Sequence, residues 1–169
     1  APINLIYEMF LDEKGEKISK SIGNGIGVDQ WLRYASQESL SLYMFQKPKS
    51  AKRLFFDVIP KSVDEYFSFL KKYSENKNDF DNPVWHIHKG NPPKYSSEIN
   101  FNSLLNLVSV CNTTEKKIIW GFLQEYDESL KPEINLEIDA LIQFAINYYV
   151  DFVLPNKKYL EISKENLKI

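Results

Sequence analysis

Lysine and serine residues are interspersed in one short segment near the beginning of the chain, and glycines follow it at every second position. Two ammonium groups on one short loop can converge on the β- and γ-phosphates of a nucleotide. Serine hydroxyls, and backbone amides exposed beside glycines, can bind the remaining phosphate oxygens. The segment therefore indicates a phosphate-binding loop, and the competing interpretation is a solvated surface turn. The residues of this lysine–serine loop are Lys17, Ile18, Ser19, Lys20 and Ser21.

The glycines near the loop do not form either of the two common nucleotide-binding motifs. No Gly-x-x-x-x-Gly-Lys precedes a serine or threonine, which excludes a Walker-type loop. Gly23, Gly25 and Gly27 follow a Gly-x-Gly-x-Gly pattern, which differs from the dinucleotide-binding fingerprint. Because glycine tolerates many backbone conformations, we interpret these three residues as a mobile hinge behind the loop.

A second group of cations follows the first predicted helices. Lys47, Lys49, Lys52 and Arg53 occur within seven residues that contain no acid, although the whole chain carries a formal net charge of -2. Nucleic acid would have to bind at a local basic patch, because the overall charge slightly repels phosphate. A solvated surface is the simpler interpretation of this basic run. Its proximity in sequence to the lysine–serine loop favours contact with nucleic-acid phosphates.

Metal-binding and membrane-spanning patterns are weak in this sequence. Cys111 is the single cysteine, which excludes an internal disulfide and a cysteine-based zinc site and fits a reducing cytoplasm. His86 and His88 have no third ligand at a suitable spacing, so we interpret them as polar residues of a loop anchored by Trp85. The apolar segment 141–155 is interrupted by polar residues and is too short to span a bilayer. We expect no protein-bound metal and no membrane helix.

The lysine–serine loop must be positioned by the elements on either side of it. Residues 3–10 are rich in β-branched and aromatic side chains and predict one strand, which runs into a tight turn at Lys14 and Gly15. We predict no further strand downstream. Since a lone strand is unstable, its partner strands are expected outside this sequence.

After Val28, capping residues and breakers alternate at helix-length spacing, which predicts a bundle of about six helices. The expected fold is therefore mainly α. The predicted caps are Asp29, Ser36, Ser62 with Glu65, Asn100, and Asn112 or Thr113. The predicted breakers are Pro48, Pro60 and Pro155, and residues 74–97 are predicted to be a long loop. On the last helix, a polar stripe recurs every fourth residue, and we interpret it as a solvated face. The stripe consists of Asp139, Gln143, Asn147 and Asp151.

The order of strand, turn, lysine–serine loop and helix resembles that of the bacterial class I lysyl-tRNA synthetases, from residue 7 to residue 67. The loop matches the second signature of class I synthetases, usually written KMSKS, with Ile18 in place of methionine. Two further segments are also similar to this family, "NPVWHIHKGNPP" at 82–93 and "LLNLVS" at 104–109.

This resemblance implies activation of lysine by ATP, supplied as its Mg²⁺ complex, and transfer of lysine to tRNA(Lys) in the cytoplasm. In such enzymes the second lysine of the loop, here Lys20, stabilises charge that develops on pyrophosphate, and the first, here Lys17, assists. ATP-binding residues are implied at all five positions of the loop. Contact with tRNA phosphates is implied for the basic run, residues 47, 49, 52 and 53.

The sequence also departs from the family pattern. No His-x-Gly-His signature precedes the loop, and the two histidines lie downstream of it in a different order. We therefore expect residues 1–28 to be the end of a Rossmann-like catalytic domain and residues 29–169 to be a helical bundle. The N-terminal catalytic half and a C-terminal helical cage are expected elsewhere in the same polypeptide. The chain alone is expected to be inactive.

Two alternatives remain open. A helical RNA-binding or docking module without catalysis would make the lysine–serine loop incidental. A glutamyl-type class I synthetase is a closer rival, although its loop usually carries arginine after the second lysine, where this chain has Ser21.

Overall fold

The computed structural model describes residue 3 and residues 6–19, 21–95 and 97–158. Helices dominate these residues, which confirms the prediction of a mainly α fold with a small strand remnant. The elements are β1 (Phe10–Leu11), α1 (Val28–Leu32), α2 (Gln37–Phe45), β2 (Lys52–Arg53), α3 (Val58–Glu75), α4 (Pro83–Ile87), α5 (Phe101–Cys111), α6 (Lys116–Tyr126) and α7 (Leu136–Tyr148). A π-helical turn (Tyr149–Val153) and a 3₁₀ turn (Leu154–Asn156) extend α7.

The strand near the start is shorter than predicted, and it has a partner within the chain. β1 pairs in parallel with β2, with Phe10 opposite Lys52 and Leu11 opposite Arg53. The prediction that no strand follows was wrong, because a two-residue strand is too short to produce an alternating pattern. The predicted turn is confirmed at Gly15, whose φ of +84° lies in the left-handed region that favours glycine. Residues 4 and 5 of the predicted strand lie outside the described residues.

Two hydrophobic clusters hold the helices together. The larger lies where α1, α3, α5, α6 and α7 meet, and fully buried side chains such as Phe101 and Ile142 fill it. The smaller joins α2, α3 and α4 around Leu42, Leu70 and Val84. Within the described ranges, no helix is long and apolar enough to cross a bilayer.

Helix α3 begins in a different place from the predicted one. The sequence predicted a helix that stops at Pro60, but α3 starts at Val58 and contains Pro60 in its first turn. Proline is tolerated there because the amide hydrogens of the first turn have no partner within the helix. The predicted cap Ser62 was also wrong, since its hydroxyl donates to the Val58 carbonyl at 2.8 Å. Ser62 therefore lies inside the helix.

The starts of the other helices confirm two of the predicted caps and contradict others. Ser36 caps α2 by accepting a hydrogen bond from the Ser39 amide, and Asn100 caps α5 in the same manner, which confirms both predictions. Three other predictions were wrong. α1 begins after Gly27 instead of Asp29, and α6 begins after Glu115 instead of after Asn112 or Thr113. The short helix α4 lies within residues 74–97, which were predicted to be a loop.

The polar stripe on α7 is not simply a solvated face. Asp139 accepts a hydrogen bond from Lys116 of α6 at 2.8 Å. One turn beyond α7, Asp151 accepts hydrogen bonds from Arg33 Nε at 2.7 Å and Tyr34 Oη at 2.8 Å. These contacts fasten the last helix to α6 and to the end of α1. The stripe consequently has a packing role that helical periodicity alone did not indicate.

Candidate functional site

The lysine–serine loop begins as the return arm of a tight turn after β1. The Asp12 amide donates to the Glu16 carbonyl at 2.8 Å, and the Ile18 amide donates to the Phe10 carbonyl at 3.0 Å. Lys17 lies opposite Leu11 in an antiparallel bridge, and its side chain is exposed. The backbone of the first loop lysine is therefore fixed against β1.

Asp12, a residue that is only 9% exposed, organises this turn through its carboxylate. One oxygen, Oδ1, accepts from the amides of Lys14 at 3.0 Å and Glu16 at 2.8 Å. The other, Oδ2, accepts from Asn24 Nδ2 at 2.8 Å. The hydrogen bond from Asn24 is the largest cause that holds the pKa of Asp12 below its ordinary value, and those from the turn amides add to it.

Asn24 connects Asp12 to the middle of the loop. Its Oδ1 atom accepts from the Ser19 amide at 2.9 Å, and its Nδ2 atom also lies 3.4 Å from the Lys17 carbonyl. The sequence interpretation of the surrounding glycines as a hinge did not anticipate these bonds. The only local signal was that asparagine between two glycines often hydrogen-bonds nearby backbone.

The remaining loop residues form a compact turn. The Ser19 carbonyl accepts from the amides of Ile22 at 3.2 Å and Gly23 at 3.0 Å, and the hydroxyls of Ser19 and Ser21 lie 2.8 Å apart. Ile18 packs closely against Gly25, because a Cβ atom added to Gly25 would lie 2.4 Å from Cγ2 of Ile18. Gly25 is thus required by close packing. Lys20, the predicted principal catalytic lysine, lies outside the described residues.

The four cations of the basic run occupy different environments. Lys52 Nζ donates to the Tyr43 carbonyl at 2.5 Å and lies 3.4 Å from the Met44 carbonyl, so it binds the C-terminal turn of α2. Burial lowers the pKa of Lys52. Lys49 and Arg53 are exposed. The run therefore contains one lysine that stabilises a helix end and others that face solvent.

A groove of about 530 Å³ lies between α2, β2 and the start of α3. Four cations line it, namely Lys47, Lys52, Arg53 and Lys61, and the carboxylate of Glu65 lies at the same groove. Lys61 was missed by sequence reasoning because the start of α3 was misplaced. Its position within the first turn of α3 brings it to the basic run.

The histidines that were weighed as ligands are contact residues of α4. His86 stacks on Phe45 with ring centroids 5.4 Å apart. His88 Nε2 lies 3.0 Å from the Tyr66 hydroxyl, and burial lowers the pKa of His88. Among the described residues, no group of three or more His, Cys, Asp or Glu side chains could hold a metal ion.

Comparisons with known proteins point to the same family as the sequence motifs. Residues 1–91 match the family model described as tRNA synthetases class I (K). The lysine–tRNA ligases of Rickettsia peacockii (strain Rustic) and Rickettsia bellii (strain OSU 85-389) are each 52% identical to this chain, over 169 and 172 residues. These alignments cover 98% and 99% of this chain and 32% and 33% of the relatives. The chain therefore spans about a third of the length of the curated relatives it matches. No solved structure matches it significantly.

Proposed function

Since the chain belongs to the class I (K) family of tRNA synthetases, we propose that it is the part of a lysine–tRNA ligase that carries the ATP-phosphate loop and a helical tRNA-contacting region. In this proposal residues 1–28 form the end of the catalytic domain and residues 29–169 form the bundle. In the cytoplasm, the reaction joins lysine to the AMP part of ATP with release of pyrophosphate. It then transfers lysine to tRNA(Lys) with release of AMP.

The observation that carries this proposal is the bracing of the lysine–serine loop. Lys17 is exposed at the end of a backbone bridge to β1, and the amide of Ser19 is held by Asn24. A loop held on both sides can direct ammonium groups at a phosphate chain without reorganising during the reaction. A solvated surface turn needs no such framework. Lys20 enters the proposal through its match to the family signature.

Two loop lysines suit the electrostatics of adenylate formation. Negative charge develops on the pyrophosphate leaving group, and a preorganised cation stabilises that charge more in the transition state than in the ground state. We assign the larger role to Lys20 and the assisting role to Lys17. Magnesium belongs to the ATP substrate complex in this proposal, and no group of side chains among the described residues is assigned to a resident metal.

This chain has an exposed apolar surface that is available for contact with the rest of the proposed enzyme. The side chains of Ile6, Tyr7 and Met9, next to β1, are exposed although they are apolar. Such a cluster favours contact with a further part of the catalytic domain. The relatives are about three times as long as this chain, which agrees with a catalytic half and a helical cage elsewhere in the polypeptide.

We assign tRNA contact to the basic groove. Lys47, Arg53 and Lys61 line it, and Lys49 lies exposed beside it in sequence. Lys52 contributes its charge to the groove while it also holds the end of α2. Such a cluster attracts a phosphate backbone without reading its sequence.

The decisive experiment substitutes the loop lysines in the complete ligase and measures adenylate formation by rapid quench. Lys20→Ala should slow this step roughly 10²–10³-fold while changing the dissociation constant for lysine little. Lys17→Ala should have the same effect with smaller magnitude. Lys14→Ala is the matched control, because Lys14 is an exposed lysine of the adjacent turn whose backbone amide makes the contact with Asp12.

Two results would refute the proposal. A Lys20→Ala rate within a few-fold of the parent would remove the phosphate-handling role and favour a docking module. Adenylate formation with glutamate in preference to lysine would favour a glutamyl-type enzyme. That result would contradict the match to the (K) family and the presence of Ser21 in place of arginine.

A further inference from the structure

We infer that Asp12 and Asn24 form a positioning pair, which sets the lysine–serine loop in the geometry that phosphate handling requires. This inference rests on the proposed function of the loop. Neither residue is assigned to contact ATP. Both act through the backbone atoms that they hold.

The two oxygens of the Asp12 carboxylate bind different parts of the chain. Oδ1 is occupied by two amides of the turn, those of Lys14 and Glu16. Oδ2 accepts the side-chain amide of Asn24 at 2.8 Å, across twelve residues of sequence. Asp12 thus connects the turn after β1 with the segment that follows the loop.

The bond to Asp12 fixes the orientation of the Asn24 amide group. Nδ2 donates to Asp12, so Oδ1 is directed toward the loop, where it accepts from the Ser19 amide at 2.9 Å. Ser19 directly precedes Lys20 in the chain. Nδ2 also lies 3.4 Å from the Lys17 carbonyl. Asn24 therefore touches the backbone of the first loop lysine and the residue that leads into the second.

The contact between positions 12 and 24 requires one carboxylate and one amide. Two carboxylates at positions 12 and 24 would repel each other, and two amides would lose the charge-assisted bond and place two NH₂ donors opposite each other. The pair is complementary in one further way, because exchanging the two residue types preserves the bond between positions 12 and 24 and the bond to the Ser19 amide, and loses only the 3.4 Å contact with the Lys17 carbonyl. The amide introduced at position 12 would donate to the carboxylate introduced at position 24. That carboxylate would still accept from the Ser19 amide.

Displacement of a reacting group by about 1 Å can reduce catalysis about 10²-fold. In the complete ligase, Asp12→Asn and Asn24→Asp should each slow adenylate formation about 10- to 10²-fold, mainly in kcat, with little change in the KM for lysine. The double variant Asp12→Asn/Asn24→Asp should recover to within about threefold of the parent. Asp29→Asn and Asn106→Asp are matched controls, because they make the same charge changes at exposed residues.

Hydrogen exchange at the Ser19 amide, measured by mass spectrometry on the same proteins, distinguishes positioning from general destabilisation. Both single variants should lose protection in the peptide that contains Ser19, and the exchanged pair should regain it together with activity. The inference is overturned if the single variants keep the parental rate. It is also overturned if the exchanged pair regains protection but stays as slow as the single variants. Failure of the proposed function is recognised separately, by parental rates in Lys17→Ala and Lys20→Ala.

Discussion

At the scale of single residues, Asp139 was predicted to lie on a solvated face, but its side chain contacts α6. Its carboxylate accepts hydrogen bonds from Lys116 Nζ at 2.8 Å and from Trp120 Nε1 at 3.0 Å. The bond from Lys116 is the largest cause that lowers the pKa of Asp139 below 3.8, and the bond from Trp120 follows. Because the folded-state pKa is lowered, ionised Asp139 stabilises the fold fully above about pH 4 and loses this effect as the pH falls further.

Asp139→Asn should therefore reduce the free energy of unfolding by about 1 kcal/mol at pH 6.5, since the ion pair is only half-buried. The difference between the parent and this variant should shrink as the pH falls below about 4, because the unfolded carboxylate takes up a proton there while the folded one keeps its lowered pKa. Urea denaturation at four pH values measures both effects. Glu133→Gln is the control, because Glu133 is exposed. A difference that stays constant down to pH 3 would contradict the assigned charge interaction.

At the scale of secondary-structure elements, the start of α5 shows which local signals can be trusted. Asn100 Oδ1 accepts from the Ser103 amide at 2.8 Å, as the sequence predicted. The helix start is also supported from outside, because Asp64 of α3 accepts from the Phe101 amide at 2.6 Å. Burial raises the pKa of Asp64 despite this bond. A local cap and a tertiary contact thus satisfy different amides of the same first turn.

Asn100→Ala should destabilise the chain by about 1 kcal/mol, because the first-turn amide of Ser103 loses its acceptor. Asn106→Ala changes the same residue type at an exposed position in the middle of α5 and should stay within about 0.5 kcal/mol of the parent. Chemical denaturation of both variants at pH 7 provides the comparison. Equal losses in the two variants would show that the cap is not the source of the effect.

At the scale of the whole molecule, the basic groove exists only because separate elements meet. Lys47 follows α2, Arg53 belongs to β2, and Lys61 lies in α3. In the complete protein of the proposed ligase, Arg53→Ala and Lys61→Ala should each weaken transfer to tRNA while adenylate formation survives. Each should also reduce the salt dependence of tRNA binding by about one unit of slope, the effect expected for one lost phosphate contact.

Lys117→Ala is the matched control for the groove, since Lys117 is an exposed lysine on α6, which does not line the groove. Filter binding of tRNA between 50 and 200 mM salt separates the outcomes. If Lys117→Ala and Lys61→Ala changed the salt slope equally, general surface charge would explain binding and the groove assignment would fail.

The sequence by itself determined the features whose causes lie within a few residues. The caps at Ser36 and Asn100 bind amides three residues away, and the turn at Gly15 depends on that glycine's own backbone freedom. Regular spacing of caps and breakers was sufficient to predict a mainly α fold. The lysine–serine loop was equally recognisable, because a linear motif retains its residue order whatever the fold.

Only the tertiary structure decided the contacts that join distant parts of the chain. β1 pairs with residues about forty positions downstream, Asn24 binds Asp12 across the loop, and Asp151 binds Arg33 from the far end of the chain. Local propensity and periodicity carry no information about such pairs, because a side chain's partner depends on how the helices pack. The residues that brace the candidate site were consequently not identified from the sequence, although the loop that they brace was.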